Sequence, residues 1–153
     1  MLVTMRYETP VRFVLEAKPR EVYWLPPDAS VYEAIELMAT KSIGAVLVLE
    51  EGRLVGIISE RDYARKVILK GKSSRETPIK EIMSSPVIFI TPECRVDEAM
   101  RLMTEKRIRH LPILENDQVV GVVSIGDLVK FLVSEQAATI TQLHAYITGR
   151  YPA

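Results

Sequence analysis

The chain has 153 residues, 48% of them apolar, and its 20 basic and 20 acidic side chains give a formal net charge of zero. That length holds one domain or two small ones with a real core, and the even, interleaved charge argues against a nucleic-acid clamp, which shows as a basic surplus or patch. The lone Cys94 cannot close an intramolecular disulfide, so a reducing compartment is expected. Met1–Pro10 has neither the basic start nor the apolar core of a signal peptide, and no apolar run approaches the roughly 20 residues of a membrane helix. The expectation is a soluble, cytoplasmic protein that engages neither nucleic acid nor membrane.

In chain order, Thr9–Leu15 reads as a short helix with Thr9 as N-cap and Pro10 at the first helical position. Val22–Leu25 is a candidate strand, ended by Pro26 and Pro27. Ser30 and Glu33 have capping-box spacing, and Val31, Ala34, Ile35 and Met38 then fall on one helical face. Ile43–Leu49 and Leu54–Ile58 form a hairpin around Glu51–Gly52, and Glu60–Leu69 closes the unit as a helix. The polar stretch 71–77 reads as a linker.

The order then repeats. Thr77–Met83 echoes Thr9–Leu15, and Val87–Ile90 is the next strand. Val96, Ala99, Met100 and Met103 make the helix stripe, and Leu111–Leu114 and Val119–Val123 form a hairpin around Asn116–Asp117. Leu128–Val133 starts the last helix of the repeat. Leu54–Asp62 and Val119–Asp127 are one motif written twice, a short apolar strand, a Ser and an Asp three residues on. A constant shift of 65 positions carries Gly56 to Gly121, Ser59 to Ser124 and Asp62 to Asp127. Each copy is β-α-β-β-α, too small to close a core easily by itself, so the two copies are expected to pack together. The division in chain order is 9–70 for the first repeat, 71–77 for the linker, 78–133 for the second repeat and 134–153 for a C-terminal helical extension. In that extension Ile140, Leu143 and Ile147 make an apolar side.

The β-α-β-β-α repeat, the doubled Gly-h-h-Ser-x-x-Asp (h apolar) and the strand entry Arg109-His110-Leu111-Pro112 together resemble a cystathionine-β-synthase (CBS) domain pair, or Bateman module. The likeness runs from about Val11 to Val133, so no attached enzyme or channel is expected. It implies an α/β fold (α+β by some schemes) of two CBS repeats packed as a pseudo-two-fold pair. It also implies adenine nucleotides (AMP, ADP, ATP or NAD) as regulatory ligands in two clefts between the repeats, and a homodimer of modules. By the same analogy each motif Asp serves a cleft whose base-binding strand comes from the other copy. Asp127 is thereby paired with Ile43, Gly44 and Ala45, and Asp62 with Ile108, Arg109 and His110.

Chemistry runs beside that likeness. A strand that ends in Ser and turns into a helix presents backbone N–H groups to a phosphate, and an ionised Asp, an acceptor only, can take both hydroxyls of a ribose. Asp62 and Asp127 are the ribose-binding candidates, with Ser59 and Ser124 beside them. Arg61, Arg65 and Lys66 near the first turn, Lys130 near the second, and Arg109 and His110, paired with Asp62 by the analogy above, are candidates for phosphate. The same residues have plainer readings. Ser-x-x-Asp at a helix start is also a capping-box variant, the basic residues also suit a solvated helix face, and His110 also suits a packed histidine. His144 reads as structural or exposed, and Cys94 as an incidental thiol.

No metal-ligand cluster, Gly-x-Gly-x-x-Gly, P-loop or nucleophile elbow is present. The reading is a regulatory module with no required cofactor and no catalysis, a nucleotide as ligand, and a regulated enzyme or transporter as a further partner. The alternative is a dimerisation or interaction scaffold that binds no ligand.

Overall fold

A computed structural model describes residues 7–18 and 21–134; the C-terminal extension, with its Ile140–Ile147 face and His144, lies outside the described residues. The elements are α1 (Arg12–Glu16), β1 (Trp24–Leu25), α2 (Val31–Lys41), β2 (Ala45–Glu50), β3 (Arg53–Ser59), α3 (Glu60–Tyr63), α4 (Val96–Lys106), β4 (His110–Glu115), β5 (Gln118–Ser124) and α5 (125–134). By their contacts they fall into two units. Of the described residues, one comprises 21–89 with 114–120, and the other 7–18, 90–113 and 121–134.

In the first of these, β1 runs parallel to β2, pairing Trp24 with Leu47, and β2 runs antiparallel to β3. Glu51 and Gly52, both at positive φ (51° and 79°), make the two-residue turn that suits the twist of a hairpin. The capping box at α2 is complete. Ser30 Oγ accepts the Glu33 N–H at 3.2 Å, and Glu33 accepts the Ser30 N–H at 2.8 Å. Val31, Ala34 and Met38 of the expected stripe are buried, and they join Val46, Val48, Ile58, Val67, Ile79 and Ile82 in one core. The closing helix differs from expectation. After Tyr63 the chain widens into a π-helical turn over Ala64–Ile68, in which Leu69 N–H bonds the Ala64 carbonyl. Val67 is fully buried there while Ile68 is 55% exposed.

The stretch expected as a linker is a working part of this unit. Ser74 and Thr77 offer their carbonyls to the Tyr32 and Val31 N–H groups (both 2.9 Å), which satisfies two of the orphan donors at the start of α2. Thr77–Met83, expected as a helix, contributes only a 3₁₀ turn over Ile79–Glu81. Ser84 then exchanges two backbone bonds with Ile57.

In the other unit α4 buries Val96, Ala99 and Met103, while Met100 is only partly covered. Asn116 and Asp117, at φ 52° and 62°, turn β4 into β5. The strand expected at Val87–Ile90 reduces to one parallel bridge between Ile90 and Ile113. Pro112 explains the loss. It accepts the Ile90 N–H at 3.0 Å but has no N–H of its own. It therefore cannot make the bond that Leu47, its counterpart in the first copy, gives to the Tyr23 carbonyl at 3.2 Å.

The N-terminal helix also starts later than expected, at Arg12 rather than Pro10, with Val11 as its N-cap. Thr9 and Pro10 are otherwise engaged. The Thr9 carbonyl takes the Val96 N–H at 2.9 Å, and Pro10 bridges Arg95. This helix therefore completes the unit of the second repeat, and Thr77–Met83 completes that of the first. The division 9–70 and 78–133 follows chain order, whereas the contacts exchange these two segments.

Candidate functional site

Both motif turns are built alike from the backbone outward. At the first, β3 ends in Ser59, still extended (φ −116°, ψ 167°). Its Oγ accepts the Asp62 N–H at 3.2 Å, and Asp62 Oδ2 accepts the Ser59 N–H at 2.9 Å and its hydroxyl at 3.0 Å. At the second, Ser124 Oγ accepts the Asp127 N–H at 3.0 Å, and Asp127 Oδ2 accepts the Ser124 N–H at 2.9 Å. The capping reading of Ser-x-x-Asp is thus real in both copies, and the same bonds hold each carboxylate at a fixed place beside the strand end.

The strand entries lie against these turns within each unit. Ala45 is the register partner of Ser59, and Glu60 N–H donates to the Gly44 carbonyl at 3.1 Å. Ile125 N–H donates in the same way to the Arg109 carbonyl at 2.9 Å. Ile43 and Ile108 close the helices before them, each donating its N–H at 3.0 Å, to Met38 and Met103 respectively. Gly44 and Ala45 therefore gather at the Ser59–Asp62 turn, and Arg109 at the Ser124–Asp127 turn. Arg61 and His110 are half-buried, whereas Arg65, Arg109 and Lys130 are exposed.

Two features escaped the sequence. The first is the source of the cation at the second carboxylate. Lys66 Nζ lies 3.1 Å from Asp62 Oδ1 and donates to the Ile82 carbonyl at 3.0 Å. At Asp127 the cation is Lys18, whose Nζ donates to Asp127 Oδ2 and to the Val122 carbonyl, both at 2.7 Å. Burial pushes the Asp127 carboxyl up, but the hydrogen bonds from Lys18 and Ser124 outweigh it and hold the group below the ordinary carboxylate range. The second feature is the seat beneath each strand. A Cβ on Gly56 would lie 2.2 Å from Met83 Sδ, and one on Gly121 would lie 2.5 Å from Leu15 Cδ2. The doubled glycine thus lets Met83 and Leu15 of the echoed segments seat closely on the two strands.

Cys94 is a free thiol, pushed up by burial and then by Glu98 and Asp97, which disfavours the reactive thiolate. Among the described residues no three His, Cys, Asp or Glu side chains gather to hold a metal ion, and no helix is long and apolar enough to cross a membrane.

Both copies thus place a serine-capped aspartate at the turn from their hairpin into the following helix. The CBS domain family model matches residues 19–69 and again 79–134, and the chain belongs to that family. It is similar to the mitochondrial CBS domain-containing protein CBSX3 of Arabidopsis thaliana, with 43% identity over 133 residues, 84% of this chain and 65% of that protein. It is also similar to YhcV of Bacillus subtilis, with 32% identity over 82% of this chain and 89% of that one. The chain thus spans about two thirds of the Arabidopsis relative. Among solved structures, a CBS-domain protein of Burkholderia ambifaria superposes with a TM-score of 0.81 at 47% identity, covering 84% of this chain and 96% of that one. A CBS-domain protein of Agrobacterium tumefaciens superposes with a TM-score of 0.76 at 36% identity, covering 80% and 98%.

Proposed function

We propose that this chain is a regulatory binding module, not an enzyme, that takes adenine nucleotides (AMP, ADP, ATP or NAD) at its Ser59–Asp62 and Ser124–Asp127 turns. In this proposal it works in the cytoplasm as a homodimer and passes the ligand state to a regulated enzyme or transporter. One observation carries the reading. Two aspartates in equivalent places are each held by a serine backbone N–H at 2.9 Å and each face a lysine ammonium. A carboxylate so fixed keeps acceptor capacity for a ligand hydroxyl, and the ammonium beside it suits a phosphate. Membership of the CBS family supports the nucleotide class, and the Burkholderia relative is described in terms of signal transduction.

The test is titration calorimetry of the four nucleotides into protein stripped of any retained ligand. Asp62→Ala and Asp127→Ala should each remove one binding event, and the double variant both. Unchanged affinity in the double variant would remove the ribose role from these residues.

A further inference from the structure

Position 131, the counterpart of Lys66 at the 65-residue shift, is Phe131. The second copy therefore lacks the helix-borne lysine that faces Asp62, yet Asp127 still faces an ammonium. It comes from Lys18, 109 residues away in sequence. The arrangement repeats in kind, at Oδ1 of Asp62 (3.1 Å) and at Oδ2 of Asp127 (2.7 Å). In both copies one Nζ bridges the motif carboxylate and a backbone carbonyl, Ile82 for Lys66 and Val122 for Lys18. Packing of the helix alone does not require this, because Phe131 has taken the helix position. Two unrelated stretches of chain supply the same juxtaposition, so the ammonium belongs to the turn.

We propose that Lys18 is a positioning and specificity residue of the Asp127 turn, fixing the carboxylate and offsetting its charge so that this turn selects a phosphorylated nucleoside over the uncharged one. The inference rests on the nucleotide reading above and assigns a determinant within it. The physical case is direct. A carboxylate alone repels an incoming phosphate, whereas a carboxylate–ammonium pair offers acceptors to hydroxyls and a donor to phosphate. Two bonds leave one of the three ammonium donors of Lys18 for a ligand, and its side chain is 30% exposed.

The experiment uses the whole chain, ¹⁵N-labelled, titrated with AMP and with adenosine. Binding is followed at the Ser124 and Asp127 amides, so that events at the Ser59–Asp62 turn are read separately. Lys18→Met should weaken AMP about tenfold, the scale of one charge-assisted contact, while adenosine changes far less and Lys18→Arg largely preserves AMP. Equal weakening of AMP and adenosine would reduce Lys18 to a structural strut and overturn the assignment, as would unchanged AMP binding. AMP binding seen only at the Ser59 and Asp62 amides of the unmodified chain would overturn it while leaving the nucleotide reading intact. No binding at either turn would overturn both. Should Lys18→Met fail to fold, Lys18→Gln serves in the same titrations.

Discussion

Asp62 and Asp127 are the same residue in the same motif, but their cations come from different parts of the chain. Lys66 lies one helical turn after Asp62, a spacing at which side chains meet, so that pair could be read from the sequence. Lys18 could not, because no periodicity links residue 18 to residue 127. The Lys18 bond has a consequence for stability. The Asp127 carboxyl is lowered in the folded chain, so its contribution is fully present above the unfolded carboxyl value of about 4. It is lost as pH falls through the still lower folded value. Asp127→Asn should therefore be less stable than the parent in urea at neutral pH, with the gap closing below about pH 4. A gap that widened on acidification would contradict the ion pair. Gly56 and Gly121 also act at this scale. Gly56→Ala should cost about 1–3 kcal/mol, the usual range for overpacking, because Met83 approaches from Sδ back to Cβ. A chemical-denaturation midpoint equal to that of the parent would mean the seat is slack.

Among the elements, those with strong periodicity were legible and those limited by a neighbour's chemistry were not. The stripe of α2, its capping box and both hairpins could be read from the chain, since each is a local pattern with a local cause. The missing strand before α4 depends on Pro112, across the ladder from it, and the π turn over Ala64–Ile68 has no pattern in the sequence. The two long helices also start differently. Ser30 gives α2 a side-chain cap, while Arg95, its counterpart, instead forks onto Asp97 through Nε at 3.0 Å and Nη2 at 2.6 Å. Ser30→Ala should cost about 1 kcal/mol, typical of a lost N-cap, and Arg95→Ala should shift the melting temperature less. The reverse order would show that the arginine fork, not the serine cap, governs these helix starts.

At the scale of the whole molecule, the repeat and the family likeness were both legible, while the partners of the echoed segments were not. A constant shift of 65 relates the copies but does not say which copy Thr9–Leu15 completes. The structure answers through matching contacts. Thr77 caps Val31 as Thr9 caps Val96, and Met83 seats on Gly56 as Leu15 seats on Gly121. Lys18 reaches Asp127 because the segment that carries it belongs to the second repeat's unit. The N-terminal segment is therefore part of the candidate site, and its sequence position hides that role.

The central claim is that the two serine-held aspartates take adenine nucleotides, and denaturing the purified protein and weighing what it releases tests this most directly. Titration of AMP, ADP, ATP and NAD into the stripped protein then follows. The account predicts an adenine nucleotide among the released molecules, or saturable binding of one of the four that is lost when Asp62 and Asp127 are both replaced by Ala. No released nucleotide, together with no heat and no thermal shift from any of the four, would contradict it and favour a scaffold that binds no ligand.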